Sequence, residues 1–154
     1  MEPGTIRNFV ELDGQLATAG QPTELQLRSL KQHGFEVVVN LGLLDPRYCL
    51  PDEAGTAASS GLLYHHIPVD FRNPTDDDFE RFVQVMRAVR HKKTLVHCAM
   101  NYRVSCFVAL FGERELGWSR ERADAHVKKL WQPDDVWRAF LRRVREKIGA
   151  GDHR

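Results

Sequence analysis

The chain has 154 residues, of which 42% are hydrophobic and 28% are charged, and its formal net charge is +1. This length fits one compact domain with a real core, and the near-balance of charge excludes a general nucleic-acid binder, which presents a strongly basic face. The longest apolar run is far short of a bilayer span, and the N-terminus (MEPGT) lacks the regions of a signal peptide, so we expect a cytoplasmic protein with no membrane contact.

Strand and helix patterns alternate along the first half of the chain. A turn signal between two apolar stretches is typical of a hairpin, and a β-branched run is typical of a buried strand. A glycine directly after a helical segment favours the end of that helix. The elements predicted here are a hairpin around Asp13-Gly14 (9–19), a helix (22–33) ended by Gly34, a strand (35–41), a loop with a short helix from Asp52 (45–60) and a strand (62–69).

In the second half, helices with apolar faces surround one more strand. A segment that opens at Pro74 carries apolar residues at spacings of three and four, which predicts an amphipathic helix. Residues 94–97 form a short apolar strand that leads directly into Cys98. Three further helices are predicted: a buried one (104–116), one capped by Ser119 that ends near Trp131, and one that begins at Pro133.

Strands that alternate with helices predict an α/β fold with a central, mostly parallel sheet flanked by helices. No linker of proline, glycine or serine divides the chain, so we expect residues 1–154 to form a single domain. The tail 149–154 is expected to fray.

The segment HCAMNYR (97–103) has the pattern of an anion-binding active-site loop. In parallel sheets, ligands bind at the carboxyl ends of the strands, which is where Cys98 is placed. The N-terminus of the following helix directs backbone N–H groups at an anion and favours a thiolate, the nucleophilic form of cysteine. The planar fork of Arg103 matches two oxygens of a phosphate or sulfate.

Neighbouring residues are expected to support this loop. Ser105 is placed to donate a hydrogen bond to the thiolate, and His97 is placed to order the loop through its ring N–H. Asn101 tolerates the left-handed backbone that a tight turn needs. The residues expected to line the bound anion are Ala99, Met100, Asn101, Tyr102 and Ser105.

The other cysteines have simpler interpretations. The chain has three cysteines, an odd number without a secretion signal, which argues against a disulfide framework. Cys106 lies in an apolar helix and is expected in the core, whereas Cys49 lies in a loop and is a minor candidate for a resolving thiol under oxidation. No cysteine and histidine cluster has zinc spacing, so we expect no metal and no cofactor.

These residues resemble the cysteine-dependent protein tyrosine and dual-specificity phosphatases, above all their compact bacterial relatives. The similar segments are LATAGQP (16–22), GFEVVVNL (34–41), YHHIPV (64–69) and LVHC (95–98). The resemblance covers about residues 6–117 and implies a dual-specificity-like architecture.

The resemblance implies a two-step phosphoryl transfer on a phosphorylated protein or a small phosphomonoester. A cysteine thiolate attacks phosphorus, an arginine holds the equatorial oxygens, and an aspartate protonates the leaving oxygen and later activates water. On the matching positions, Cys98 is the nucleophile, Arg103 the phosphate clamp and Asp70, after the YHHIPV strand, the general acid. The acidic run 76–78 competes for the acid role, but the first turn of a helix accounts for it.

The loop departs from the family pattern in length. The family has five residues between cysteine and arginine, and this chain has four; a hydroxyl residue usually follows the arginine, and here Val104 does, with Ser105 one position later. Two alternatives therefore stay open. One is a pseudophosphatase that binds phosphate or another anion without turnover, and the other is a rhodanese-like sulfurtransferase, whose loop is similar in length and whose cysteine carries a persulfide.

Overall fold

A five-stranded sheet forms the centre of the fold in the computed structural model, which describes residues 2–151. The strands are β1 (Val10–Glu11), β2 (Leu16–Ala19), β3 (Val37–Asn40), β4 (Leu63–His66) and β5 (Thr94–His97). They lie in the order β1-β2-β5-β3-β4, in which β1 pairs antiparallel with β2 and all other pairs are parallel. This mostly parallel sheet confirms the predicted fold class and places β5 at its centre.

Six α-helices and two short 3-10 turns connect these strands within the described residues. The helices are α1 (Glu24–Ser29), α2 (Glu53–Ser59), α3 (Asp76–Ala88), α4 (Tyr102–Glu115), α5 (Arg120–Lys128) and α6 (Asp135–Gly151), and the turns are Pro3–Thr5 and Leu30–His33. Each predicted element is present, with the strands predicted over 35–41 and 62–69 shorter in the structure; of the helix predicted over 22–33, only α1 is an α-helix, and residues 30–33 form a 3-10 turn. None of the helices in this part of the chain has both the length and the apolar character needed to cross a bilayer. Of the predicted tail 149–154, residues 149–151 belong to α6 and residues 152–154 lie outside the described range, so its fraying stays a prediction.

Capping residues set the helix boundaries. The Thr75 hydroxyl accepts a hydrogen bond from the N–H of Asp78 (3.0 Å), and the Asp78 carboxylate accepts one from the N–H of Thr75 (3.2 Å). The acidic residues 76–78 therefore belong to the start of α3, as their position in its first turn predicts. Gly34 ends the helical segment before β3 with a φ of 89°, a left-handed conformation that favours glycine.

The core lies on both faces of the sheet. Successive strand residues point to opposite faces, so Val37 and Val39 join the cluster beneath α3, α4 and α6, whereas Val38 joins the cluster beneath α1 and α2. The ring of Phe107 in α4 is central to the larger cluster. It contacts the rings of Phe79, Phe82, Trp137 and Phe140. Both faces of the central strands are thus buried, which holds their carboxyl ends in place.

His126 of α5 is buried without a polar partner. Its side chain is 4% exposed, and neither ring nitrogen has a hydrogen-bond partner among the described residues. The Trp118 ring packs against it edge-on at 5.9 Å. Burial, with smaller contributions from the charges of Lys129 and Arg122, lowers the pKa of His126 to about 4.

We predict that this histidine makes the protein less stable in acid. Between its ordinary pKa of 6.5 and the folded value of about 4, the unfolded chain binds a proton that the folded chain does not, so stability falls as the pH falls, by about 3 kcal/mol in all. His126→Leu should remove this part of the pH dependence in urea unfolding, whereas His91→Leu, at an exposed histidine, should keep it. Equal pH profiles for wild type and His126→Leu would contradict the prediction.

Candidate active site

The candidate nucleophile follows the central strand without a gap. β5 ends at His97, and the next residue, Cys98, is 1% exposed. Neighbouring strands fix this point, because the His97 carbonyl accepts a hydrogen bond from the N–H of Leu41 (2.8 Å) and the Cys98 N–H donates to the carbonyl of Ala19 (3.3 Å). The carboxyl end of the sheet therefore holds Cys98 where the sequence predicts it.

The loop 98–103 turns through Asn101, which adopts the left-handed backbone expected of it (φ 70°, ψ 10°). Its buried side-chain amide donates to the carbonyl of Asn8 (2.8 Å) and to the hydroxyl of Thr18 (3.0 Å). In return, the side-chain amide of Asn8 donates to the carbonyl of Met100 (2.8 Å). The N-terminal segment and β2 thus hold the loop in its turn.

Gly20 lies against the loop at a distance that only a residue without a side chain allows. A Cβ atom at this position would lie 2.6 Å from the carbonyl oxygen of Ala99, a contact that is sterically excluded. The same carbonyl accepts a hydrogen bond from the N–H of Gln21 (2.9 Å). The residues after β2 therefore approach the loop closely enough to hold the peptide between Ala99 and Met100.

Arg103 is held at the start of α4 with part of its guanidinium unused. It is 5% exposed, and it donates to the carbonyl of Val69 (3.0 Å) and to the hydroxyl of Tyr48 (3.4 Å). The rings of Tyr48 and Phe71 lie 5.8 and 5.9 Å from the guanidinium carbon. A guanidinium has five N–H donors, so the remaining ones are available to an oxyanion.

His97 is ordered by a buried carboxylate that sequence reasoning missed. Its Nε2–H donates to Oε2 of Glu53 (2.5 Å), and its Nδ1 faces the carbonyl of Cys98 (3.2 Å). Both nitrogens face acceptors, an arrangement that an imidazolium satisfies in full. Glu53 stands in the first turn of α2, where the helix dipole is a sufficient local explanation for a carboxylate, so no sequence signal pointed to this pair.

The contact with His97 affects the pKa of Glu53. Burial on its own raises that pKa, but the charge of His97 and the hydrogen bonds from His97 and Gln21 outweigh it, so the pKa lies below its ordinary value. The Gln21 amide donates to Oε1 of Glu53 over 2.8 Å. The buried carboxylate is thereby kept ionised directly behind the loop.

Ser105 is not directed at Cys98. Its hydroxyl donates to the carbonyl of Tyr102 (2.6 Å) and accepts a hydrogen bond from the indole N–H of Trp131 (2.9 Å). Trp131 also stacks on the Tyr102 ring, with centroids 4.7 Å apart and planes 4° from parallel. Ser105 therefore helps to hold the wall of the site instead of donating to the thiolate.

A cavity of about 280 Å³ opens above the nucleophile. Its residues share an apolar or aromatic character, apart from the arginine and the thiol. They are Phe71, Cys98, Ala99, Met100, Tyr102 and Arg103. The cavity brings together the predicted nucleophile, the predicted phosphate clamp and most of the predicted loop.

Asp70 lies beside this cavity and not in its lining. Its side chain is exposed, with Oδ1 accepting the N–H of Arg72 (2.9 Å). Its two neighbours belong to the site, since the Val69 carbonyl binds Arg103 and the Phe71 ring lines the cavity. The free oxygen of Asp70 is therefore carried by a segment that is already attached to the candidate active site.

Asp45 is a second carboxylate in the field of Arg103. Hydrogen bonds from the side chain and backbone of Arg47 lower the pKa of Asp45 to about 2, with a smaller effect from the charge of Arg103. The Asp45 carboxylate is therefore engaged by Arg47. Asp70, whose neighbours Val69 and Phe71 belong to the site, stays the candidate general acid.

Comparison with known proteins identifies the family of this arrangement. Residues 8–131 match the family model described as a DSP-PTPase phosphatase fused to NAD+ kinase. The chain belongs to the cysteine-based protein tyrosine and dual-specificity phosphatase superfamily. A search of curated proteins gave no match.

Solved structures of phosphatases have the same fold. A protein of Shewanella putrefaciens CN-32, described as a phosphatase of the DUF442 family, is 32% identical with a TM-score of 0.85, over 94% of this chain and 95% of that chain. Tk-PTP is 21% identical with a TM-score of 0.77, over 90% and 96%. TpbA of P. aeruginosa, solved with phosphotyrosine, is 16% identical with a TM-score of 0.72, over 97% and 93%. The similarities to Tk-PTP and to TpbA are similarities of fold alone.

The two other cysteines of this phosphatase-family chain differ in environment. Cys106 is buried in α4, and burial raises its pKa to about 12, which keeps it a neutral thiol and confirms its place in the core. Cys49 is half-buried in the loop after β3, and it is a free thiol. A resolving role for Cys49 stays a prediction.

We predict that Asn101→Ala disables the loop and that Asn101→Gly disables it less. Alanine loses both side-chain hydrogen bonds and is strained at a φ of 70°, which costs about 1–2 kcal/mol, whereas glycine loses only the bonds. Urea unfolding and a titration with inorganic phosphate measure the two effects. Equal losses in both variants would show that backbone conformation is not the constraint.

We predict that Glu53→Gln lowers stability at neutral pH by about 3 kcal/mol, because it leaves a buried histidine without its ionic partner. Since the folded pKa of Glu53 lies below its ordinary value of 4.5, its stabilisation is present above pH 4.5 and is lost as the pH falls through the folded value. The variant should therefore show a flatter loss of stability in acid. Glu24→Gln, in an exposed pair with Arg28, is the matched control and should change stability by less than about 1 kcal/mol.

Proposed function

We propose that the protein hydrolyses phosphomonoesters through a phosphocysteine formed on Cys98. The observation that carries this proposal is the cavity at the end of β5, in which Cys98 and Arg103 line the same small space. Membership of the phosphatase superfamily supports this chemistry over the persulfide chemistry of a sulfurtransferase.

In the first step, the Cys98 thiolate attacks phosphorus while the bond from phosphorus to the leaving oxygen breaks. The N–H donors of Arg103 that are not used by Val69 and Tyr48 hold the equatorial oxygens. Asp70 gives its proton to the leaving oxygen. In the second step, water attacks phosphorus, Asp70 takes a proton from that water, and the thiolate leaves.

The walls of the cavity favour an aryl phosphate, such as phosphotyrosine, as the substrate. Phe71 and Tyr102 present rings, and Met100 adds an apolar side chain, so the part of the substrate beyond the phosphate meets apolar surface. TpbA, which shares the fold, was solved with phosphotyrosine bound. A serine phosphate would leave most of this apolar wall uncovered.

The short loop is supported at two of its peptides and at its turn, which favours a working geometry despite its length. Gln21 binds the Ala99 carbonyl, Asn8 binds the Met100 carbonyl, and Asn101 takes the left-handed turn. With these carbonyls bound on the outside, the loop N–H groups are free to point toward an anion above Cys98.

One observation favours the alternative of phosphate binding without turnover. The Asp70 side chain is exposed and lies outside the cavity lining, so its proton must reach the leaving oxygen from the rim. A binding module needs only Arg103 and the loop, both of which are in place.

We predict that p-nitrophenyl phosphate is hydrolysed by the wild type between about pH 5 and 8, that Cys98→Ser abolishes turnover, and that Asp70→Asn lowers it by about a hundredfold because general acid catalysis is lost. Cys49→Ser is the matched control and should keep wild-type turnover, since its thiol is not in the cavity. A folded wild type that binds inorganic phosphate but does not hydrolyse the ester would support the binding module instead. Release of thiocyanate from thiosulfate and cyanide would support the sulfurtransferase.

A further inference from the structure

The last helix contacts the segment that carries Asp70. α6 lies beyond residue 131, where the match to the family model ends. Trp137 in its first turns is fully buried, and its indole N–H donates to the carbonyl of Phe71 over 2.8 Å. A buried indole N–H must find an acceptor, and here that acceptor is the carbonyl of the residue that follows Asp70, the candidate general acid.

Two hydrogen bonds flank Asp70 on either side. Arg103 binds the carbonyl of Val69, the residue before it, and Trp137 binds the carbonyl of Phe71, the residue after it. The peptide before Asp70 and the peptide that follows Phe71 are thus both held, so the short segment that carries Asp70 is anchored at each end. The position of this segment therefore depends on Arg103 and on α6.

The Phe71 ring strengthens this attachment. Its centroid lies 5.6 Å from that of Trp131 and 5.8 Å from that of Trp137, and the same ring lines the cavity. A movement of this segment away from the site would have to withdraw the ring from both indoles.

α6 also holds the far end of the segment. Arg143 donates to the carbonyl of Pro74 (3.3 Å) and to the carboxylate of Asp76 (3.0 Å), and Lys147 pairs with the same carboxylate. The side chains of Arg143 and Lys147 are exposed, so each of these contacts is weak by itself. Together with Trp137 they attach residues 71–76 to one rigid helix.

We propose that Trp137 is a positioning residue that holds Asp70 in register for proton transfer, which makes α6 part of the catalytic apparatus as well as a cover of the core. This inference rests on the proposed function, in which Asp70 is the general acid. In the first step, the sulfur–phosphorus bond forms, the bond from phosphorus to the leaving oxygen breaks, and the Asp70 proton moves to that oxygen.

The need for this proton depends on the leaving group. A dinitrophenolate leaves readily without protonation, whereas a phenolate needs the proton, so a misplaced acid affects phenyl phosphate more than 2,4-dinitrophenyl phosphate. The ratio of kcat/KM for the two esters therefore reports the position of the acid. A general loss of folded protein lowers both values equally and leaves the ratio unchanged.

The experiment compares Trp137→Phe, which keeps an aromatic ring but removes the N–H, with wild type. We expect the ratio for phenyl over dinitrophenyl phosphate to fall about tenfold, in the same direction as the larger fall in Asp70→Asn. Trp118→Phe is the matched control, because it makes the same change at another core tryptophan, one that packs on Gly112 and His126 and not on residues 69–76. Its ratio should equal that of wild type.

An exposed pair of variants tests the proposal if Trp137→Phe fails to fold. Arg143→Gln removes the contacts with Pro74 and Asp76 and should lower the ratio about threefold, whereas Arg142→Gln, its exposed neighbour without a described bond to this segment, should not. A ratio unchanged in a folded Trp137→Phe, or in Arg143→Gln when Trp137→Phe does not fold, overturns the inference while the phosphatase stands. An unchanged ratio in Asp70→Asn overturns it too. A wild type that hydrolyses neither ester overturns the proposed function and the inference with it.

Discussion

The candidate active-site loop depends on the end of one buried strand. β5 lies between β2 and β3, and its last residues are bound by the main chain of both neighbours, so the point at which Cys98 leaves the sheet is held from two sides. Four residues between Cys98 and Arg103 leave the loop few backbone conformations. Its turn is made at Asn101, which adopts a left-handed backbone. The strand end and this turn together decide where the thiol and the guanidinium meet.

A buried ion pair behind the loop adds a second constraint. His97 and Glu53 are both almost fully buried and are joined by a hydrogen bond, in a place where an unpaired carboxylate would be very costly. The pair joins the start of α2 to the peptide of Cys98, so the loop is attached to both sides of the sheet.

On the other side of the cavity, the wall is built from aromatic side chains that pack against one another. Tyr102 stacks on Trp131, and Phe71 packs against Trp131 and Trp137, so the wall near Asp70 is a continuous set of rings. The hydrogen bond from the Trp137 indole to the Phe71 carbonyl adds a directional interaction to this ring packing. The same residues therefore take part in the packing of the core and in the wall of the cavity.

The sequence by itself determined the order of strands and helices, because apolar periodicity and capping residues such as Thr75 act locally. It also determined the loop from Cys98 to Arg103, because adjacent positions in the chain make that site. Only the tertiary structure brought in Glu53 and Trp137, which approach the loop and the Asp70 segment from distant elements. Such contacts depend on how the helices pack on the sheet. A single carboxylate or tryptophan in a helical sequence does not indicate which distant residue it will contact after packing.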